Sequence, residues 1–228
     1  MAKKLMTAIA GLAVTLVLTS VARANTISIA FQETGVNGGA ITQEATGSGT
    51  ASFTGLYGNF VAEVSGTGTP PSTEPDLTSN SLSVNFLGFT GATLTIYVTE
   101  TGITSPIGLT DLLSSFNLTL LAGPATSVVE TTEYSNSNAL YSGTPFATQT
   151  FTATGSASAS TKVTTSAPFS ETEVYVIKTT GFGAEAGGDI SIAKGTITSP
   201  IPESATLSLL GTGLLGLGLL GLRKKVYP

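Results

Sequence analysis

The chain contains no cysteine, no histidine and no tryptophan. Without cysteine there is no disulfide framework, no thiol nucleophile and no thiolate metal site. Without histidine a Ser-His-Asp triad, an imidazole proton shuttle and most zinc sites are excluded. The missing tryptophan removes the largest aromatic surface on which a sugar can stack. Cations are scarce as well: between Asn25 and Ser199 the only ones are Lys162, Lys178 and Lys194, against thirteen Asp and Glu, a net charge of −10 over that stretch. So acidic a surface repels nucleic acid and anionic lipid, and neither is expected as a partner. There is no GxxxxGK[ST] phosphate loop and no tandem repeat, which sets aside nucleotide hydrolysis, solenoids and propellers.

Long hydrophobic runs are confined to the two ends. At the start, Lys3 and Lys4 precede an apolar stretch from Leu5 to Leu18, and Ala22 and Ala24 supply a small-x-small site. This is the layout of a secretory signal peptide spanning residues 1–24, with cleavage after Ala24 and a mature chain beginning at Asn25. The alternative is an uncleaved N-terminal anchor.

At the other end, Pro202 and Glu203 precede an apolar run from Leu207 to Leu222, which is closed by Arg223, Lys224 and Lys225. As a helix the run reaches about 24 Å at ~1.5 Å per residue. Ala205 and Thr206 extend it, and the flanking cations can snorkel, so it suits a hydrocarbon core of ~30 Å. The basic cluster belongs on the cytoplasmic side and the preceding chain outside.

These three parts, in this order over residues 199–228, resemble the PEP-CTERM sorting signal of Gram-negative bacteria. Pro202 and Glu203 match the first two positions of its Pro-Glu-Pro-like tripeptide, and Ser204 stands where the family usually has a second proline. Ala205-Thr206-Leu207 followed by Leu210-Gly211 also fits the family's wording. The resemblance implies export through the Sec machinery and transient anchoring in the inner membrane by the C-terminal helix. It further implies cutting near the tripeptide by exosortase, a membrane cysteine protease, and delivery to the cell surface or an exopolysaccharide matrix. The Ser204 departure bears on how efficiently the segment is processed. A single span that is never cut is the alternative, and a glycolipid-anchor signal with Ser199 as acceptor is another. The three terminal cations speak against the last.

Residues 25–198 form the expected secreted domain, and their dominant period is two. Ile27, Ile29 and Phe31 alternate with Thr26, Ser28 and Ala30, and similar runs recur at 50–54, 59–65, 81–89 and 92–100. Further runs follow at 127–134, 148–154, 158–164, 171–180 and 189–198. Thr, Val, Ile, Phe and Tyr dominate them, as strands require. The link from Gly88 to Gly91 suggests a hairpin between the fourth and fifth of these runs. Residues 66–80, rich in Gly and Pro, read as a loop. Leu109 to Phe116 reads as a short helical turn capped by Thr110, with Phe116-Asn-Leu-Thr-Leu-Leu121 as the alternative, the next strand, favoured for the second half. About ten short strands in one unit predict an all-β fold: a single antiparallel β-sandwich, jelly-roll-like, between the signal peptide and the transmembrane helix.

Little chemistry is on offer. Acid pairs occur at Glu74/Asp76, Glu130/Glu133 and Glu171/Glu173, but a glycosidase needs two carboxyls ~5–10 Å apart across a cleft. Glu171 and Glu173 fall on one strand face, which alternation equally makes an ordinary solvated face. No catalytic residue, cofactor or enzyme activity is therefore expected. Glu185-Ala-Gly-Gly-Asp189 places two acids around Gly187-Gly188, a candidate calcium loop or simply a solvated one. Tyr57, Tyr134 and Tyr141 lie in Gly- or Asn-rich contexts that would expose them, whereas Tyr97 and Tyr175 sit in strands and should pack. Three function classes follow: a non-enzymatic surface or matrix protein, a carbohydrate- or calcium-binding module, and a hydrolase using a carboxylate pair.

Overall fold

In the computed structural model, residues 25–68 and 75–195 are described. The signal peptide, Glu74 and everything from residue 196 onward lie outside the described residues, so the expectations for Ala22, Ala24, Pro202, Glu203, Ser204 and the basic cluster rest on sequence. Among the described residues no helix is long and apolar enough to cross a membrane.

Alternation becomes two six-stranded sheets with every neighbouring pair antiparallel. The first sheet runs β2 (Thr42–Ser48), β1 (Thr26–Glu33), β6 (Thr93–Ile103), β11 (Phe169–Thr179), β8 (Ala125–Ser135) and β9 (Thr144–Phe151). The second runs β10 (Gly155–Thr165), β7 (Gly108–Ala122), β12 (Glu185–Lys194), β5 (Asp76–Phe86), β4 (Phe60–Thr67) and β3 (Thr50–Tyr57). From β5 to β12 this is the strand order of a jelly roll, β6-β11-β8-β9 facing β5-β12-β7-β10. Strands β1 to β4 widen both sheets on the same side. Neighbouring edges are joined by short links, Gly49 between β2 and β3 and residues 152–154 between β9 and β10, so little sheet edge is left open to another chain.

One face of each strand is apolar and closes on the other sheet. Phe31 stacks on Tyr57 at 5.3 Å and meets Phe53 at 4.8 Å, while Phe60 and Phe86 touch at 4.7 Å. Leu94, Ile96, Leu77, Ile190 and Ile192 fill the space between them and are all buried. Each large side chain so buried contributes about 1.5–3 kcal/mol.

Several local expectations are corrected. The runs at 81–89 and 92–100 are strands β5 and β6, but they lie in opposite sheets, and the link from Leu87 to Ala92 crosses the end of the sandwich instead of making a hairpin. Their apolar faces oppose one another across the core, a packing that side-by-side strands could not give. Residues 109–116 are strand throughout, since Leu112 and Phe116 are needed inside and β7 pairs with both β10 and β12. The loop at 66–80 is shorter than composition suggests, because β4 continues to Thr67 and β5 opens at Asp76. The strands number twelve rather than about ten: β2 is a polar edge segment with weak alternation, and β7 is the strand that the 109–121 stretch left divided between a helical turn and a strand. Tyr57 is buried, its hydroxyl donating to the Phe31 carbonyl at 3.2 Å.

The ends of the sandwich differ. Thr26 pairs with Thr101 near the close of β6, Phe169 with Ile103, and Lys194 with Leu112 near the start of β7. The described domain is therefore entered and left at one end. The links β5–β6, β7–β8 and β11–β12 lie at the other.

Candidate functional site

Toward the end where the chain enters and leaves, the interior stops being apolar. On β6 the inward series Leu94, Ile96, Val98 is followed by Glu100; on β11, Ile177 and Tyr175 give way to Glu173 and Glu171; on β8, Val128 gives way to Glu130 and Thr132. All four glutamates are fully buried, at 0% exposure. Glu171 lies opposite Glu100 across one ladder, and Glu130 lies opposite Tyr175 across the other.

Few donors serve these carboxyls. Asn25 Nδ2 donates to Glu100 Oε1 at 2.6 Å, but Glu100 Oε2 and both oxygens of Glu130, Glu171 and Glu173 have no hydrogen-bond partner. The facing sheet offers hydroxyls that are already engaged: Ser79 with Tyr175, and Ser114 with Thr132 at 2.7 Å. Glycines make the room. A β-carbon at Gly68 would come within 2.6 Å of Glu100 Oε1, and one at Gly188 within 3.2 Å of Glu130 Oε1.

Burial is the main influence on these acids, and the neighbouring charges are negative too. Loss of hydration raises Glu100 to about 7 against the help of Asn25, with Asp76 adding to the rise. Burial and then Asp189 raise Glu130 to about 8. Glu171 is pushed well above the usual carboxylate range by burial, then by Glu100 and Asp76. Burial does the same to Glu173, opposed next by the nearby Ser79 hydroxyl and amide and reinforced by Glu171 and Glu100. All three lysines of the described residues are exposed on the surface. At neutral pH Glu130, Glu171 and Glu173 are held as the acid and Glu100 is divided between its two forms, because an unpaired buried carboxylate is far costlier than a protonated one.

The sequence-based site residues are therefore redistributed. Glu171 and Glu173 do share a strand face, but it is the buried one, not a solvated face. Glu130 points inward, whereas Glu133, on the opposite side of β8, is half-buried. Gly187 and Gly188 are no turn: they are buried mid-strand in β12, where a bulge precedes Ile190. Glu185 and Asp189 are thereby spread ~13 Å along the strand at ~3.3 Å per residue. Asn85 donates to Glu185 at 3.2 Å and Asn117 to Asp189 at 3.0 Å. Among the described residues no three acids are grouped as a ready metal-ligand set.

The aromatic surface also differs from expectation. Tyr134, Tyr141 and Tyr97 are half-buried; the loop after β8 folds over the outer face of the first sheet, where the Tyr141 hydroxyl donates to Gln43 at 2.6 Å. Tyr175 packs as expected. The exposed aromatics are instead Phe89 and Phe182, at 87% and 59% exposure, stacked with centroids 5.7 Å apart and planes 17° from parallel. They sit on the β5–β6 and β11–β12 links, at the end opposite the acidic interior. The signal for them was in the sequence: each is an apolar ring within a glycine-flanked turn, Gly88-Phe-Thr-Gly91 and Gly181-Phe-Gly183. A separate groove of ≈ 370 Å³ beside β2 and β3 is lined by Thr46, Thr50, Ser52, Ser65 and Thr67, without a charged or aromatic side chain.

No family model matches the chain, and no curated protein matches it. Among solved structures, the structure of TmCBM61 in complex with beta-1,4-galactotriose is similar at a TM-score of 0.32 and 11% identity, over 62% of this chain and 92% of that one.

Proposed function

We infer that this chain is an exported cell-surface or extracellular-matrix protein with a structural or adhesive, non-catalytic role, sorted and processed by exosortase through its C-terminal segment. The observation that carries this is the three-part C-terminal sequence: Pro202-Glu203, the apolar run 207–222 and Arg223-Lys224-Lys225, behind a domain preceded by a signal-peptide pattern. Two features of the sandwich support it. Its most perturbed acids are closed inside the core, away from any polymeric substrate. Its exposed aromatic pair sits at the end remote from Lys194, where the described residues close. Intact-mass spectrometry of the protein recovered from its native cells is the test. The expected species starts at Asn25 and ends near Pro202. A species retaining Lys225 overturns the processing, and a full-length cytosolic one overturns export altogether.

A carbohydrate-binding role is favoured as a second reading by one observation, the Phe89–Phe182 pair. Two stacked rings held on short turns offer apolar faces on which a sugar ring can lie. Calorimetric titration with a panel of soluble polysaccharides tests it; saturable heat with at least one supports it, and a flat response to all removes it.

A further inference from the structure

The acid-lined half of the sandwich has no structural use for its carboxyls as hydrogen-bonding groups, since seven of their eight oxygens meet no donor. Among the described residues it has no buried cation either. The ionisable groups buried there are Glu100 on β6, Glu171, Glu173 and Tyr175 on β11 and Glu130 on β8, and the exposed Asp76 on β5 and part-exposed Asp189 on β12 act on them through their charge. On β7 the facing group is the neutral Ser114, and β1 contributes Ile27. Every charge that this set can acquire is negative.

Position matters as much as number. The glutamates stand in a row on the three central strands of one sheet, from Glu100 through Glu171 and Glu173 to Glu130. Opposite them are the Ser79 and Ser114 positions of the other sheet, and each sheet touches the other there through a hydroxyl pair. At the far end β1, β3, β4 and β5 meet through Phe31, Tyr57, Phe60 and Phe86, and the buried acid there, Glu33, differs in having both carboxyl oxygens hydrogen-bonded, by the Asn59 amide and side chain at 3.1 and 2.9 Å. One half of the interface between sheets depends on bound protons, and the other does not.

We propose that the acid-lined end of the sandwich is a proton-held clasp: with Glu100, Glu130, Glu171 and Glu173 protonated the two sheets close there, and as these groups ionise that end parts while the aromatic end stays packed. The clasp is a conformational device of the domain itself and holds whichever reading of its biological role is correct. It places the alkaline-sensitive part beside Asn25 and Lys194, so opening it loosens the segments through which the domain joins the rest of the chain.

The direction follows from linkage. An unfolded or opened chain releases these protons in the ordinary carboxylate range, whereas the closed form keeps them to about 7 at Glu100, about 8 at Glu130 and higher at the other two. Between those limits the closed form binds more protons, so closure weakens about tenfold per pH unit for each proton at stake.

The test is amide hydrogen exchange on the intact chain from pH 5.5 to pH 9, corrected for intrinsic exchange, with EDTA and separately with millimolar calcium chloride. Protection in 97–103, 127–135 and 169–176 should fall by at least tenfold across this range, while 82–86 and 92–96 hold theirs. The double variant Glu171→Gln, Glu173→Gln should lose less protection than wild type over the same range. The wild-type series stands by itself should that variant fail to fold. Unchanged protection at the acid-lined segments, or loss spread evenly over both ends, would overturn the clasp. So would restoration at pH 9 by calcium, since a metal ion and not protons would then be the counter-charge.

Discussion

Glu171 on β11 lies directly opposite Glu100 on β6, and neither carboxyl has any exposure to solvent. Like charges facing each other across a ladder are unfavourable even at a surface. In a closed interior the cost is met by keeping the proton. A hydrophobic pair at these positions would pack with no such condition, so the price of the arrangement is a fold whose stability depends on pH.

The first prediction concerns global stability. A group whose folded-state pKa is raised gives stability that is fully present below its unfolded value and is lost as pH climbs toward the folded one. For Glu100 the loss runs from the ordinary carboxylate range to about 7, and for Glu130 to about 8; Glu171 and Glu173 extend it upward. Urea denaturation from pH 5 to 9 should show the midpoint falling throughout, at about 1.4 kcal/mol per pH unit for each proton by which the two states differ. Tyrosine ionisation lies above this window. A midpoint that rises between pH 5 and 8 contradicts the assignment of neutral buried acids.

Tyr175 and Ser79 supply the second. Their hydroxyls bond across the gap between sheets, and Ser79 also lies at 3.3 Å from the amide and 3.4 Å from the carbonyl of Ile190. Tyr175→Phe keeps the ring and removes one hydroxyl, so it should cost about 1 kcal/mol. Ser79→Ala should cost more, because the Ile190 amide then loses its partner as well. The double variant should fall short of the sum of the two, by about 0.5 kcal/mol or more if the bond is as direct as the geometry says. Strict additivity in a double-mutant cycle would mean that the hydroxyls act separately.

Gly66 gives the third. It occupies an inward position of β4, where a β-carbon would sit 2.5 Å from Val98 Cγ1 and 3.0 Å from Ile27 Cγ2. Both neighbours are fully buried, so neither can swing away. Gly66→Ala should therefore destabilise by about 1–3 kcal/mol, the usual cost of overpacking, despite alanine's ordinary advantage over glycine in a strand. Gly66→Val should be worse. Thermal melts decide it, and a neutral or stabilised alanine variant would show that the two sheets are less tightly apposed at this point than described.

The sandwich was legible because alternation is a local property. Leu82-Val84-Phe86 and Leu94-Ile96-Val98 declare their buried faces within a few residues, and the all-β, two-layered character follows from such runs, though the count fell short of twelve. Sheet membership was not legible. A six-residue link reads the same whether it closes a hairpin or crosses to the other sheet, and only the mutual burial of both faces distinguishes the two for β5 and β6. The acidic interior was hidden for a different reason. Alternation assigns Glu171 and Glu173 to one face, but composition then argues that a glutamate face is wet. What overrides this is the position of β11 at the middle of its sheet, flanked by β6 and β8 and covered by β5 and β12, and no local pattern encodes that. Tyr57 failed the same way, since its glycine-rich setting describes the turn beside it and not the core beneath its ring.

The last prediction separates binding from folding at the aromatic tip. Phe89 and Phe182 touch each other but are largely open to water, so truncating them removes little buried area. Phe89→Ala and Phe182→Ala, singly and together, should shift stability by no more than about 0.5–1.5 kcal/mol, the range of an aromatic pair contact. If the tip binds polysaccharide, the same variants should weaken that binding by at least tenfold, because the ring faces are then the contact surface itself. Thr90→Ala, on the same link but without an aromatic face, should leave binding unchanged and serves as the control. A double alanine variant that still binds at wild-type strength would move the recognition surface elsewhere, with the polar groove beside β2 and β3 as the next place to probe. A double variant that instead unfolds would show that the ring pair buttresses the β5–β6 and β11–β12 links, and so belongs to the core after all.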